Sequence, residues 1–226
     1  MDIETPDCAK NLPFSENIIF CSDDYEFTEC LANVEIPRIV HLIWVGENEP
    51  PLYYEIHLKK WKELMPHWEV RSWRNEDITV EHFPEMIVDK INLCVKGAQK
   101  ADIMRYFIIE KYGGFYMDSD ITPNRSLEPL LYTKAVICHD LDLTWKYVIN
   151  AFFGGVPNHP LFQHACNLCN YITINTEDIH MHSGPRLFGE AVSRVTEKML
   201  LLPQKFFYKN ENFEKRFGNH FYSKCW

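Results

Sequence analysis

The segment that most narrows the possible folds lies near the middle of the chain. Ala101, Met104, Phe107, Ile108 and Tyr112 recur at helical spacing within Gly97–Tyr112, which predicts a helix with an apolar face. Gly113-Gly114 follows, where a left-handed cap calls for residues without a Cβ. Phe115-Tyr116-Met117 reads as a short strand running directly into Asp118-Ser119-Asp120. A helix, a glycine stop, a strand and an acidic turn in immediate succession belong to an α/β layer.

The flanking segments repeat the alternation. Arg38–Val45 is β-branched and apolar between Pro37 and Gly46, the pattern of a buried strand. Pro51–Met65 has the length and period of a helix, with Leu52, Ile56 and Leu64 as apolar positions and Pro66 as its stop. Trp68–Trp73 alternates as a second strand, and Asn75-Glu76-Asp77 turns towards another helix. Lys134–His139 and Tyr147–Phe153 read as strands, and Pro160–Ile174 and Pro185–Leu201 as helices with proline at an early position. The pattern predicts a single α/β domain over residues 36–226, with a mixed, mostly parallel central sheet. Residues 1–35 are acidic and weakly patterned, an N-terminal extension. Open sheets of this kind bind ligands beyond the carboxyl ends of their strands, where both Gly46 and Asp118 stand.

Charge narrows the partners. A net charge of −9 disfavours non-specific nucleic-acid binding. An anionic diphosphate could still bind if a divalent cation stood between it and protein carboxylates. The acidic start has no apolar core of a signal peptide, and no apolar run approaches a membrane span. The expectation is a chain that is cytoplasmic, or one from which an anchor has been removed, with eight cysteines reduced and mostly buried.

Asp118 and Asp120, at i and i+2 on a turn after a strand, can present both carboxylates to one hard cation, Mn²⁺ or Mg²⁺. Asp102 and Arg105 share one helix face, and such a pair could hold sugar hydroxyls: Asp accepts and Arg donates. Trp44 at a strand's carboxyl end has two open readings, a core tryptophan or a platform for a nucleobase. Cys166-x2-Cys169 has metal-knuckle spacing but no second pair, and sits on an amphipathic pattern. His180-x-His182 reads as two loop histidines, and neither a glycine-rich phosphate loop nor a G-x-S-x-G elbow is present.

With these residues in place, Ile36–Gly46 resembles the opening of the DXD-containing sugar-binding glycosyltransferases. These include family 32, the yeast initiating α-1,6-mannosyltransferase type and, more distantly, the glucosyltransferase domains of clostridial toxins. Ala101–Asp120 is similar to their central block almost position by position, and Asn150, Gly155–Pro160 and Ser183-Gly184-Pro185 resemble later blocks. The ending His220-x5-Trp226 is similar too, with Cys225 where the family carries a small hydroxyl residue. The resemblance implies a GT-A fold and transfer of a hexose from a UDP- or GDP-sugar to a glycan or a protein- or lipid-linked sugar, with retention of configuration. It implies that Trp44 stacks on the base and that Asp102 and Arg105 hold the donor sugar. Asp118, Ser119 and Asp120 would form the metal and diphosphate turn, with Asp118 also at the ribose. Asn150 would lie near the transferred sugar, His220 would join the metal, and His220 and Trp226 would close over the diphosphate. Two other readings compete: a metal-dependent phosphohydrolase or nucleotidyltransferase, for which Asp140 and Asp142 would supply the further acids, and a non-catalytic nucleotide-sugar-binding module.

Overall fold

The computed structural model describes residues 18–20, 35–139, 148–175, 177–207 and 216–220. In chain order these form β1 (Ile18–Phe20), β2 (Ile39–Ile43), α1 (Leu52–Leu64), β3 (Glu69–Trp73), α2 (Glu85–Leu93), α3 (Gly97–Tyr112), β4 (Gly114–Met117) and β5 (Ile121–Pro123). Then come β6 (Ala135–His139), β7 (Val148–Gly155), α4 (Pro160–Cys169), α5 (Ile179–His182), α6 (Pro185–Ser193), β8 (Met199–Pro203) and β9 (Gly218–His220). Seven strands make one sheet in the order β1-β8-β6-β7-β4-β2-β3, and β5 pairs with β9 in a separate ribbon. Every neighbouring pair of the large sheet is parallel except those of β7 with β4 and β6. This is the mixed, mostly parallel α/β sheet that the sequence pattern implies.

Alternation along β2 sorts the two layers. Val40, Leu42 and Trp44 join one core with Tyr54, Leu58 and Trp61 of α1, while Ile43 and Val45 join the other with α2, α3, α4 and α6. The reversed strand β7 matters most for the site. β2 and β4 end at one edge of the sheet and β7 begins there, so Met117 pairs with Phe152 and the Asp118 amide donates to the Ala151 carbonyl at 2.8 Å. Asn150 therefore arrives beside the acidic turn.

The glycine pair between α3 and β4 has a steric cause. Gly113 and Gly114 hold φ of 64° and 87°, and a Cβ on Gly113 would lie 2.6 Å from the Pro157 ring, one on Gly114 2.5 Å from the Ile39 carbonyl oxygen. A side chain at Gly113 would collide with Pro157, and one at Gly114 with the adjacent strand β2, on top of the strain of positive φ.

Several expectations need correction. In α1, Leu52 and Ile56 are exposed, at 79% and 54%, and the buried face is Tyr54, His57, Leu58 and Trp61. The aromatic positions, with more area to bury, set the helix rotation. Helix α3 is not one-faced: Ala101 through Ile109 are all buried, because the sheet packs on one side and α2 and α4 on the other. Helix α4 ends at Cys169, short of Ile174. Helix α6 ends at Ser193, and Met199–Leu201 belongs to β8, a strand between β6 and β1. A fully buried apolar run has no alternation to separate strand from helix. Among the described residues Cys94, Cys138, Cys166 and Cys169 are buried thiols, and burial pushes the Cys94 thiol up to about 11. No helix of the described residues is long and apolar enough to cross a membrane.

Candidate active site

Three elements converge at the carboxyl edge of the sheet: the turn after β4, the N-terminal half of α3 and the start of β7. The acidic side chains of that turn meet a residue from far along the chain. β5 continues from the turn and pairs antiparallel with β9, with Ile121 opposite His220. The His220 Nε2 lies 3.0 Å from Asp120 Oδ1 and 3.9 Å from Asp118 Oδ2. One potential ligand atom from each of Asp118, Asp120 and His220 falls within 4.8 Å of the others. Two carboxylates and an imidazole on half-buried to buried side chains are a donor set that Mn²⁺ accepts, and Mg²⁺ through its carboxylates. The fit to a divalent cation is good.

Behind this trio stands a buried ion network. Arg105, 3% exposed, donates through Nη1 to the Asn150 carbonyl at 2.8 Å and through Nε to the Ala101 carbonyl at 3.1 Å. It bridges the two acids, with Nη2 3.0 Å from Asp102 Oδ1 and Nη1 3.2 Å from Asp118 Oδ1. Its guanidinium also lies over the Tyr116 ring, 4.5 Å from the centroid. Asp102 is locked from three sides: Asn150 Nδ2 donates to Oδ1 at 2.9 Å, Ser183 Oγ to Oδ2 at 3.0 Å, and Arg105 forms the ion pair. Tyr116 donates its hydroxyl to Asp118 Oδ1 at 2.6 Å.

The electrostatics follow from burial and charge. Burial pushes the carboxyls of Asp102 and Asp118 up, against the pull of the Arg105 guanidinium, and for Asp118 the neighbouring Asp120 adds to the rise. Burial alone would lower the His220 imidazole, but its bond to Asp120 and the field of both carboxylates outweigh that and raise it. A cation bound here would relieve the carboxylates and displace the imidazole proton.

Asp102, Arg105, Asp118, Asp120, Asn150 and His220 line one cavity of about 440 Å³, walled opposite by Ile179, His180 and Pro185. A cavity of about 600 Å³ elsewhere is lined by His82, Phe83, Phe107, Glu110, Lys111 and Cys166, and among the described residues Asp118, Asp120 and His220 form the one group close enough to hold a metal. Ser119 is 1% exposed and contributes its carbonyl, which accepts from His57 at 2.8 Å. Trp44 stands apart from the cavity lining, 6% exposed, edge-on to Tyr54, with Nε1 donating to the Asn48 carbonyl at 2.7 Å. Trp226, Asp140 and Asp142 lie outside the described residues.

Residues 53–137 match the family described as glycosyltransferase sugar-binding region containing DXD motif. The chain carries this DXD sugar-binding region. Among curated proteins, inositol phosphoceramide mannosyltransferase 3 of Schizosaccharomyces pombe is 34% identical over 118 residues, which is 50% of this chain and 33% of that protein. Inositol phosphoceramide mannosyltransferase 1 of the same yeast is 30% identical over 166 residues, 70% of this chain and 50% of that one. The chain thus spans from a third to half the length of these relatives. Among solved structures, the PaToxG glycosyltransferase shares the fold with a TM-score of 0.53 and 16% identity, over 70% of this chain and 68% of that chain. The fold is that of the GT-A glycosyltransferase domains.

Three supporting residues of the DXD region have no role assigned from the sequence: His57, Tyr106 and Tyr116. Tyr106 accepts from Asn150 Nδ2 at 3.1 Å and donates to the Ser183 carbonyl at 2.8 Å. His57 could have been found on the Tyr54–Leu58–Trp61 face of α1. The others act through tertiary contacts with no local signal.

The burial of Trp44 sets a measurable expectation. Trp44→Ala should cost ~3–5 kcal/mol of folding stability, the range for a buried aromatic. Denaturation of the variant, with nucleotide titration of its folded fraction, separates packing from stacking. Unchanged stability with donor affinity weakened by ~1–3 kcal/mol would mean that the ring acts on the base instead.

Proposed function

We propose that this chain transfers a hexose from a UDP- or GDP-sugar to a hydroxyl of a glycan or of a protein- or lipid-linked sugar, with Mn²⁺ or Mg²⁺ held by Asp118, Asp120 and His220. The observation that carries this reading is that those three ligand atoms, within 4.8 Å of one another, share a cavity with the buried Asp102–Arg105 pair. A divalent cation there supplies Lewis-acid stabilisation of the charge developing on the departing diphosphate. Asp102 accepts from a sugar hydroxyl. Arg105 spends most of its N–H groups on protein partners, so it serves the sugar mainly by holding the Asp102 and Asp118 carboxylates in place. Asn150 fixes the other side of Asp102. An acceptor hydroxyl entering on the leaving-group side gives retention through an oxocarbenium-like transition state, and no side chain is assigned as nucleophile.

The relatives are named for mannosyl transfer to inositol phosphoceramide, which makes mannose and a hydroxylated lipid headgroup the first sugar and acceptor to test. A panel of UDP- and GDP-hexoses with Mn²⁺ and such an acceptor should yield nucleoside diphosphate from one donor. The glycoside formed should keep the donor's anomeric configuration by NMR. An inverted product would remove the retaining mechanism. Phosphate-ester hydrolysis without sugar transfer would replace the transferase by the phosphohydrolase reading.

A further inference from the structure

Outside the ligand set, the histidine of α1 has an arrangement that the chemistry above does not use. His57 is 4% exposed and reaches the acidic turn from the opposite layer of the sheet. Its Nδ1 lies 2.8 Å from the Ser119 carbonyl oxygen, and its Nε2 lies 3.1 Å from Thr122 Oγ1. A carbonyl oxygen only accepts, so Nδ1 carries the proton and Nε2 accepts from the threonine hydroxyl. Burial lowers the imidazole pKa, in keeping with this neutral tautomer.

The two contacts fall on the two sides of Asp120. Holding the Ser119 carbonyl fixes the plane of the peptide that ends at the Asp120 amide, because that unit is rigid. Holding Thr122 fixes β5, in which Ile121 pairs with His220 and Thr122 with Asn219. One neutral ring therefore spans the turn that carries Asp118 and Asp120 and the ribbon that presents His220.

We propose that His57 is a positioning residue for the divalent-cation site: it sets the spacing of Asp118, Asp120 and His220 by clamping Ser119 and Thr122, and it touches neither cation nor substrate. The inference rests on the metal reading of the preceding section. Mn²⁺ titrations of the full chain, followed by electron paramagnetic resonance without any donor, test it. His57→Ala should weaken Mn²⁺ binding by at least about tenfold, within the ~10–100-fold seen when groups supporting metal ligands are lost. His57→Asn, which keeps a donor near the Nδ1 position, should recover a substantial part of that loss. Thr122→Val, which removes only the Nε2 contact, should give a smaller loss. Melting temperatures identify the folded fraction of each variant, and affinities are compared in that fraction. Wild-type chain that takes no Mn²⁺ would overturn both the metal reading and this inference. Wild-type chain that binds Mn²⁺, with His57→Ala and Thr122→Val binding equally well, would overturn the positioning role alone. A melting-temperature drop with unchanged affinity would make His57 a packing residue.

Discussion

Asp120→Asn is expected to abolish sugar transfer while leaving the chain folded. Asp120 gives one of the three clustered ligand atoms, 3.0 Å from the His220 Nε2. Asparagine keeps the shape and one carbonyl oxygen but loses the charge that offsets a divalent cation. A cation at a developing phosphate charge is worth several kcal/mol, and each 1.36 kcal/mol is tenfold in rate, so turnover should fall on the order of a thousandfold or more. Removing one of two adjacent carboxylates also relieves a repulsion that adds to the effect of burial in raising Asp118, so thermal stability should change little. A variant that keeps most of its turnover would remove Asp120 from the metal site.

Arg105→Leu carries the second large effect, and it falls on stability first. The guanidinium bridges Asp102 and Asp118, and both Arg105 and Asp102 are almost fully buried, at 3% and 6% exposure. Breaking a buried pair by removing one partner costs ~3–5 kcal/mol, because a charge is left uncompensated in a medium that cannot solvate it. For a domain of this size that is roughly a ten-degree fall in melting temperature. Arg105→Lys should restore only part of it. One ammonium cannot reach both carboxylates and the Asn150 carbonyl as the planar fork does. Scanning calorimetry of the two variants decides the point. A leucine variant as stable as the parent would mean that the acids find other partners.

How far the site was legible in the sequence follows from how local each signal is. Gly97–Asp120 states its own structure: helical period, two glycines forced by contacts with Pro157 and Ile39, a strand, and the acidic turn. Asp102 and Arg105 could be paired from their spacing, although the extent of their burial could not, because it comes from packing on all sides of α3. His220 is different. It reaches Asp120 through a three-residue ribbon closed across nearly a hundred residues, and such pairing leaves no pattern in either segment. Only the resemblance to a known family placed it. The misreading of Met199–Leu201 as helix has the same root, since a strand buried on both faces loses its alternation. His57 shows a third case. It stands in a helix whose apolar positions, read as Leu52, Ile56 and Leu64, leave its burial unmarked, and only the fold brings it against the acidic turn.

The proposed chemistry depends above all on a divalent cation that joins the Asp118, Asp120 and His220 side chains to the donor diphosphate. Isothermal titration of the donor nucleotide into the chain, with Mn²⁺ and then with EDTA, tests it most directly, with Asp120→Asn as the comparison. Binding that requires Mn²⁺, and that the variant loses, is the predicted result. Equally tight binding in EDTA would contradict it, because two carboxylates facing a diphosphate without a cation repel it.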